Sequence, residues 1–456
     1  VDTNASETIQ QYHVGIIGGG PAGTGPLFSA LQDGKLRELL DSGVALFESG
    51  ENLAKGRLGE FDLNSDTLSN AFLEILDKDP ESLLTGIESS DATREILAYR
   101  GRSVPLPIVG DYLRCLGQRL REIIANHSDS RVFLNTRVTA AHRLGDGTFI
   151  VEVKTSAGQQ AEVFCRNVVI ATGGAQSVDD AKSEEILGRK WLSEPRFANK
   201  LLLTGDILQG RADLKRLAAS SNPRVVILGA SHSAFSAAWY LLNHQNANFA
   251  ENGIHILHRG RPKLFFGSEA EAHEAGYNDF DDFDICPLTK RVYRLAGLRF
   301  DGRGLLMQLL GVGDAKPEPR VALRSLEQID SDLESLLEEA DIIVPAFGYR
   351  PQAIPLFENG EPISLLADHG GPLVDNQCRV LDATANPIAG AFGIGLASGF
   401  IPSGNLEASQ ASAVKPMASG SIKMAWGKSL PTRCWASVKS VQNFRPSELR
   451  HEDPRL

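Results

Sequence analysis

Short apolar runs that end at glycine recur along this chain, separated by longer stretches with helical spacing. Val14 to Ile17, Val44 to Phe47, Val168 to Ala171, Val225 to Leu228, Ile254 to Leu257 and Ile342 to Val344 read as such runs. Continuous branched apolar residues of that length suit strands buried on both faces of a parallel sheet. Between Arg131 and Phe164 the period changes to two. Arg131–Leu134, Val138–Ala141, Thr148–Lys154 and Ala161–Phe164 are expected as separate short strands, with turns at Gly145-Asp146-Gly147 and Ala157-Gly158. Pro105 and Pro107 introduce an amphipathic helix over Ile108 to Ala125, its core stripe being Tyr112, Leu113, Leu116, Leu120, Ile123 and Ile124. Ser69–Leu76 and Pro80–Leu84 are predicted as short helices, and Leu295–Leu310 and Arg320–Leu323 as strands. Strand and helix alternate, which predicts an α/β protein.

Two of these runs open into glycine-rich turns. After the first, Gly18, Gly20 and Gly23 stand at G-x-G-x-x-G spacing, with Pro21 and Ala22 at the start of a helix-compatible segment. Gly18 permits the tight turn, Gly20 lets a pyrophosphate approach the backbone, and Gly23 allows close helix–strand packing; the helix N-terminus offers free N–H groups. A glycine-rich turn without a ligand has the same spacing. Glu48, at the tip of the next strand and about 25 residues beyond Gly23, is the acceptor a ribose diol requires. After the fourth run, Gly229-x-Ser231-x-x-Ala234 repeats the pattern with one strict glycine. Ser231 crowds a pyrophosphate but brings a hydroxyl, and Ala234 still packs closely. His232 and Ser233 fall in this turn, where phosphate or ribose contact is the expected role. His258, Arg259 and Arg261 follow the fifth run; arginines there suit a 2′-phosphate, and a solvated basic turn beside a vestigial site is the alternative.

Bulk properties narrow the field. The 456 residues exceed one core, so two or three domains are expected. A net charge of −11 without a basic cluster argues against nucleic acid and against anionic membranes. The five cysteines are scattered and form no C-x-x-C, so neither a disulfide framework nor a metal site is expected. The polar start, Val1 to His13, lacks a signal-peptide pattern, and no apolar run reaches the length of a membrane span. A soluble cytoplasmic protein is the expectation, with homo-oligomerisation left open.

The glycine motif with Glu48, the return strand ending Ala171-Thr172-Gly173-Gly174, and the late run Gly390-Ala391-Phe392-Gly393-Ile394-Gly395 together resemble the flavoproteins with two dinucleotide-binding domains. That superfamily holds disulfide reductases, flavin-containing monooxygenases and amine N-hydroxylases. Asp341 to Pro351, with Gly348-Tyr349-Arg350-Pro351, looks like the Ala-Thr-Gly-Tyr-Arg-Pro element of the monooxygenases, Phe347 standing where threonine is usual. The resemblance implies an FAD-binding Rossmann-like domain of three-layer ββα form, with an inserted NAD(P)-binding Rossmann-like domain. The expected limits are 1–220, 221–364 and 365–425, with 426–456 as a tail. It implies FAD at the first site, met by Gly18, Gly20, Pro21, Ala22, Gly23, Glu48, Arg57, Val138, Ala171, Thr172, Gly173 and Gly395. NADPH at the second site would be met by Gly229, Ser231, His232, Ser233, Arg259 and Arg261, and Gly348 and Tyr349 are further cofactor-binding candidates.

Absence of C-x-x-C removes the dithiol reductases, and absence of W-x-W-x-I-P speaks against flavin halogenases. The F-x-G-x-x-x-H motif of flavin-containing monooxygenases is missing, which leaves the N-hydroxylase-like branch, or a cousin of it, ahead. The implied activity is an NADPH-dependent monooxygenase: hydride passes to FAD, and a C4a-hydroperoxyflavin formed with O2 oxygenates a nucleophilic nitrogen or sulfur of a small molecule. Asn64 and Ser65, in the long loop after Glu48, and Gly395 to Gly404 are candidates near the ring; a helix N-cap before Leu68 is the alternative for the first two. The acidic segment Asn278 to Asp284 either attracts a cationic amine or is a solvated charge run. Two rivals stand beside the monooxygenase: a flavin oxidoreductase without oxygen insertion, and a flavin-binding regulatory protein that does not turn over.

Overall fold

The computed structural model describes residues 11–244, 247–329, 332–395 and 398–400. The tail 426–456, Cys434, Gly404 and residues 401–425 of the expected return segment lie outside the described residues.

The first domain is built on β1 (Gln11–Ile17), β2 (Val44–Phe47), a short pair β3 (Asn64–Leu68) and β4 (Ser103–Pro105), then β5 (Arg131–Phe133), β6 (Thr136–Arg143), β7 (Phe149–Thr155), β8 (Gln160–Ile170) and the two-residue β9 (Gly174–Ala175). β5, β2, β1 and β8 run parallel side by side, while β6, β7 and β8 form an antiparallel meander. β8 belongs to both. Its first half pairs with β7, and its last residues pair with a later strand on that same edge.

One face of the parallel strands carries Val14, Ile16, Val44 and Leu46 against helices α1 (Pro21–Gln32) and α2 (Leu106–Ala125). The other face carries Ile17, Ala45 and Phe47 against Val138, Val151 and Val153 of the meander. Adjacent residues of one strand point to opposite faces, so two separate cores form on a single sheet. The result is the three-layer ββα arrangement expected.

The second domain holds a four-stranded parallel sheet in the order β12-β11-β10-β13, from β10 (Val225–Leu228), β11 (Ile254–His258), β12 (Val321–Ser325) and β13 (Ile342–Pro345). α3 (His232–His244) and α4 (Phe300–Leu310) cover one face. The chain then returns through β14 (Arg350–Pro351), which pairs antiparallel with β9, so the two crossings between domains form one ribbon. β15 (Leu356–Glu358), β16 (Glu361–Ile363), β17 (Arg379–Leu381) and β18 (Pro387–Gly393) complete the first sheet, β15 against β6 and β18 against β8.

Several expectations are corrected. Leu295–Leu310 is not a strand: Leu305, Leu306, Leu309 and Leu310 have helical spacing, and residues 300–310 are α4. Pro80–Leu84 is a turn, because the Asp79 carboxylate takes the N–H groups of Leu83 at 2.8 Å and Leu84 at 2.6 Å. The helix Asp91–Leu97, capped by Ser90, was not expected. Ala161–Phe164 and Val168–Ile170 are one strand, β8.

Domain limits also move. β15 and β16 belong to the first sheet, so the return begins well before 365. Ala181, Trp191, Leu192 and Phe197 pack on Val226, Leu228 and Ile343, so the second domain takes in residues well before 221. Short apolar pieces without a period carry no sheet assignment until their partners are known.

Candidate functional site

The two glycine turns are built alike. Gly18 has φ +106° and its N–H bonds the Phe47 carbonyl at 2.9 Å; Gly229 has φ +115° and its N–H bonds the Leu257 carbonyl at 2.8 Å. A Cβ at Gly18 would lie 2.5 Å from the Ala171 carbonyl oxygen, and one at Gly229 would lie 2.6 Å from that of Ala346. Only glycine serves at either place. Behind each turn a helix begins. α1 starts at Pro21 with Gly20 as N-cap, no side-chain cap and no acid in its first turn, so its leading N–H groups and positive dipole end face outward. α3 starts at His232, with the Ser231 backbone carbonyl accepting the N–H of Ala234 at 3.0 Å.

Both turns open into one cleft of about 1980 Å³ between the domains. Gly18, Gly20, Pro21, Ala22, Glu48, Arg57, Val138, Ala171, Thr172, Gly173 and Gly395 line its first half; Gly229, Ser231, His232, Ser233, Arg259, Arg261, Gly348 and Tyr349 line the second. Gly23 does not line it. That residue works from behind, where a Cβ would meet the Gly18 carbonyl oxygen at 1.8 Å. Gly395 abuts α1, a Cβ there falling 2.6 Å from that of Ala22. Thr172 is tied down, its hydroxyl donating to the Gln352 carbonyl.

Glu48 accepts the N–H of Gly19 at 2.8 Å and of Gly50 at 2.7 Å. The carboxylate therefore locks the glycine loop to the strand tip; Oε1 also takes the Ser49 hydroxyl at 3.3 Å, and Oε2, with Gly19 as its donor, keeps a lone pair for a further one. Glu48→Gln turns one of these acceptors into a donor facing an N–H. FAD affinity is expected to fall by about 10- to 100-fold, read by flavin fluorescence titration.

At the second cradle the basic turn is divided. Arg261 bonds Asp279 at 3.1 Å and Lys263 lies 3.7 Å from Asp284. Arg259 is exposed to the cleft, with no acidic partner among the described residues. Burial, with Arg261 beside it, holds the His258 imidazole below its ordinary value, and its buried Nδ1 has no partner. Burial also raises the Tyr349 hydroxyl, which stays protonated. The acidic segment is thus structural. Asp279 and Asp284 hold cations of the basic turn, Asp281 and Asp284 form a capping box, and none of residues 278–284 lines the cleft. The attraction of an amine by this segment is not supported.

Asn64 and Ser65 lie on β3, a strand rather than a helix cap. Ser65 is buried and its hydroxyl accepts the Thr67 N–H at 3.1 Å. Asn64 Nδ2 donates to Asp301 Oδ2 at 2.9 Å, from the first domain to α4 of the second. The same strap continues on either side: Asp62 lies 3.5 Å from His244, Asp66 lies 3.9 Å from His232, and Phe61 and Leu63 pack against the cores of both domains. His232 also meets the Gly297 carbonyl at 3.2 Å through Nε2. A double-mutant cycle on Asn64→Ala and Asp301→Ala is expected to return a coupling of about 1–2 kcal/mol in thermal unfolding.

Sequence reasoning missed Arg299, Phe300 and Asp301, which line the cleft from the start of α4. The signal was the helical spacing of the leucines that follow, which sets a helix start at the domain interface. Arg57, exposed, bonds Gln209 at 3.0 Å and Glu60 at 3.3 Å while lining the cleft.

Among the described residues no group of three metal-binding side chains occurs, and no helix is long and apolar enough to cross a membrane.

Comparison with known proteins agrees with this geometry. Residues 15–175 match a family described as FAD-NAD(P)-binding. A CMP-5′-(3-aminopropyl)phosphonate hydroxylase from Streptomyces rubellomurinus is 29% identical over 349 residues, 74% of this chain and 77% of that protein. Among solved structures, the FAD-bound cadaverine monooxygenase DfoA of Erwinia amylovora superposes with a TM-score of 0.55 at 14% identity, covering 94% of this chain and 95% of that one. L-lysine 6-monooxygenase from Pseudomonas syringae superposes with a TM-score of 0.53 at 18% identity, covering 95% and 99%. The fold is that of the two-dinucleotide-binding-domain flavoproteins.

Proposed function

We propose that this chain is an NADPH-dependent, FAD-containing monooxygenase that hydroxylates the nitrogen of a small primary amine. The observation that carries the reading is the pair of like-built glycine cradles facing each other across one cleft. Such a layout brings two dinucleotides together end to end. The donor set fits FAD at the first cradle: an uncapped helix start for the pyrophosphate, Glu48 for the ribose, and a glycine surface at Gly20 whose Cβ would meet only Gly56. Arg259 suits the 2′-phosphate of NADPH at the second.

FAD, when bound, supplies two-electron transfer from the reduced nicotinamide and activation of dioxygen. The protein's part is to bind, orient and exclude water. Phe61 and Leu63 line the cleft with apolar surface and pack against the cores of both domains, and Asn64 with Asp301 ties the two domains together. Support for an amine comes from the relatives: the substrate named for the 29%-identical hydroxylase carries an aminopropyl group, and cadaverine and lysine are primary amines.

The test is oxygen and NADPH consumption with 3-aminopropylphosphonate, its CMP ester, cadaverine and lysine. Hydroxylamine formed in step with NADPH oxidation is expected for at least one. Hydrogen peroxide alone with every amine overturns oxygen insertion in favour of the electron-transfer enzyme. A flavin that stays yellow under anaerobic NADPH leaves the non-catalytic protein.

A further inference from the structure

Phe300 stands out on three counts. Eleven non-glycine residues have positive φ among those described, and of these Phe300, at +43°, is the one that lines the cleft. It is also the one large apolar residue of the exposed set that does so, at 38% exposure. Its ring joins none of the hydrophobic clusters among the described residues. A bulky L residue in the left-handed region is disfavoured, and such strain persists where surrounding structure imposes it.

The neighbours impose it. Arg299, 9% exposed, lies over the Phe265 ring at 3.7 Å and donates to the Arg294 carbonyl. Asp301 is held by Asn64, and Gly297 by His232. With both sides anchored, the backbone turns at 300 and the phenyl ring is left facing the cleft. Glycine would meet this geometry without strain, and the same helix uses glycine at 302 and 304. The chain keeps a phenyl ring instead, between the second cradle and the β3 strap.

We propose that Phe300 is an aromatic shelf for a flat heteroaromatic ring where the two domains meet. Two sources share that chemistry: the nicotinamide of the dinucleotide, or a base carried by a nucleotide-linked amine. The inference rests on the reading above for what enters the cleft, but its test reads binding alone.

The experiment titrates FAD-loaded wild type, Phe300→Ala, Phe300→Gly and Phe300→Tyr with NADP⁺, with adenosine 2′,5′-bisphosphate, which lacks nicotinamide, and with CMP, following the flavin spectrum and calorimetry. Phe300→Ala keeps the strain and loses the ring, whereas Phe300→Gly loses both, so equal losses in the two assign the effect to the ring. Loss of stacking is expected to weaken one ligand about tenfold, with Phe300→Tyr near wild type. NADP⁺ weakened with the bisphosphate unchanged identifies nicotinamide; CMP weakened with NADP⁺ unchanged identifies a substrate base. The shelf is overturned if NADP⁺ and CMP both stay within twofold of wild type, or if the bisphosphate weakens in parallel with NADP⁺. Failure of the monooxygenase reading shows separately, as wild type that makes no hydroxylamine.

Discussion

Gly23→Ala yields a chain that purifies without flavin, or does not accumulate as folded protein. The added Cβ would sit 1.8 Å from the Gly18 carbonyl oxygen and 3.0 Å from its carbon, with the Ala171 Cβ at 3.3 Å. The two Gly18 atoms are backbone of the turn itself, pinned by the Gly18 N–H bond to Phe47, so no rotamer change relieves the contact. Gly20→Ala is the matched control. Its Cβ would meet only Gly56, at 3.4 Å from Cα and 3.9 Å from N, so the fold tolerates it while the surface facing the cleft is raised. Circular dichroism and thermal unfolding near wild type, with a flavin-to-protein absorbance ratio reduced, are expected for Gly20→Ala. Loss of both is expected for Gly23→Ala. A Gly23→Ala protein as yellow and stable as wild type would contradict the packing assigned to that residue.

Arg259→Ala lowers kcat/KM for NADPH by about 10- to 100-fold and leaves that for NADH within about threefold, the range of one or two charge-assisted hydrogen bonds. Arg261→Ala has the smaller effect. Its guanidinium is already engaged by Asp279 at 3.1 Å, and its side chain is 78% exposed, where a charge contributes little. Steady-state kinetics with both coenzymes decides the order. A larger loss at Arg261, or equal losses for NADPH and NADH at Arg259, would move the 2′-phosphate away from Arg259.

The strap over residues 61–66 explains why the candidate residues Asn64 and Ser65 were hard to assign from their neighbours in the chain. Polar residues before an apolar run resemble a helix cap, and β3 has only β4 as a partner. What separates strap from cap is Asp301, 237 residues away. The acidic segment was ambiguous for the same reason. Its carboxylates look free in sequence, yet Arg261 and Lys263 of the basic turn lie against Asp279 and Asp284.

Local chemistry was enough for the two cradles. A glycine at a turn, a helix start behind it and an acid or base at the next strand tip depend on residues a few positions apart, so the chain alone determined the two glycine turns and the α/β class. The limits of the second domain, the helix at Phe300–Leu310 and the partners of Asn64 depend on surfaces that meet only after both sheets have formed. Those were decided by tertiary packing, because a short apolar or polar segment takes its identity from whichever core or charge it is brought against.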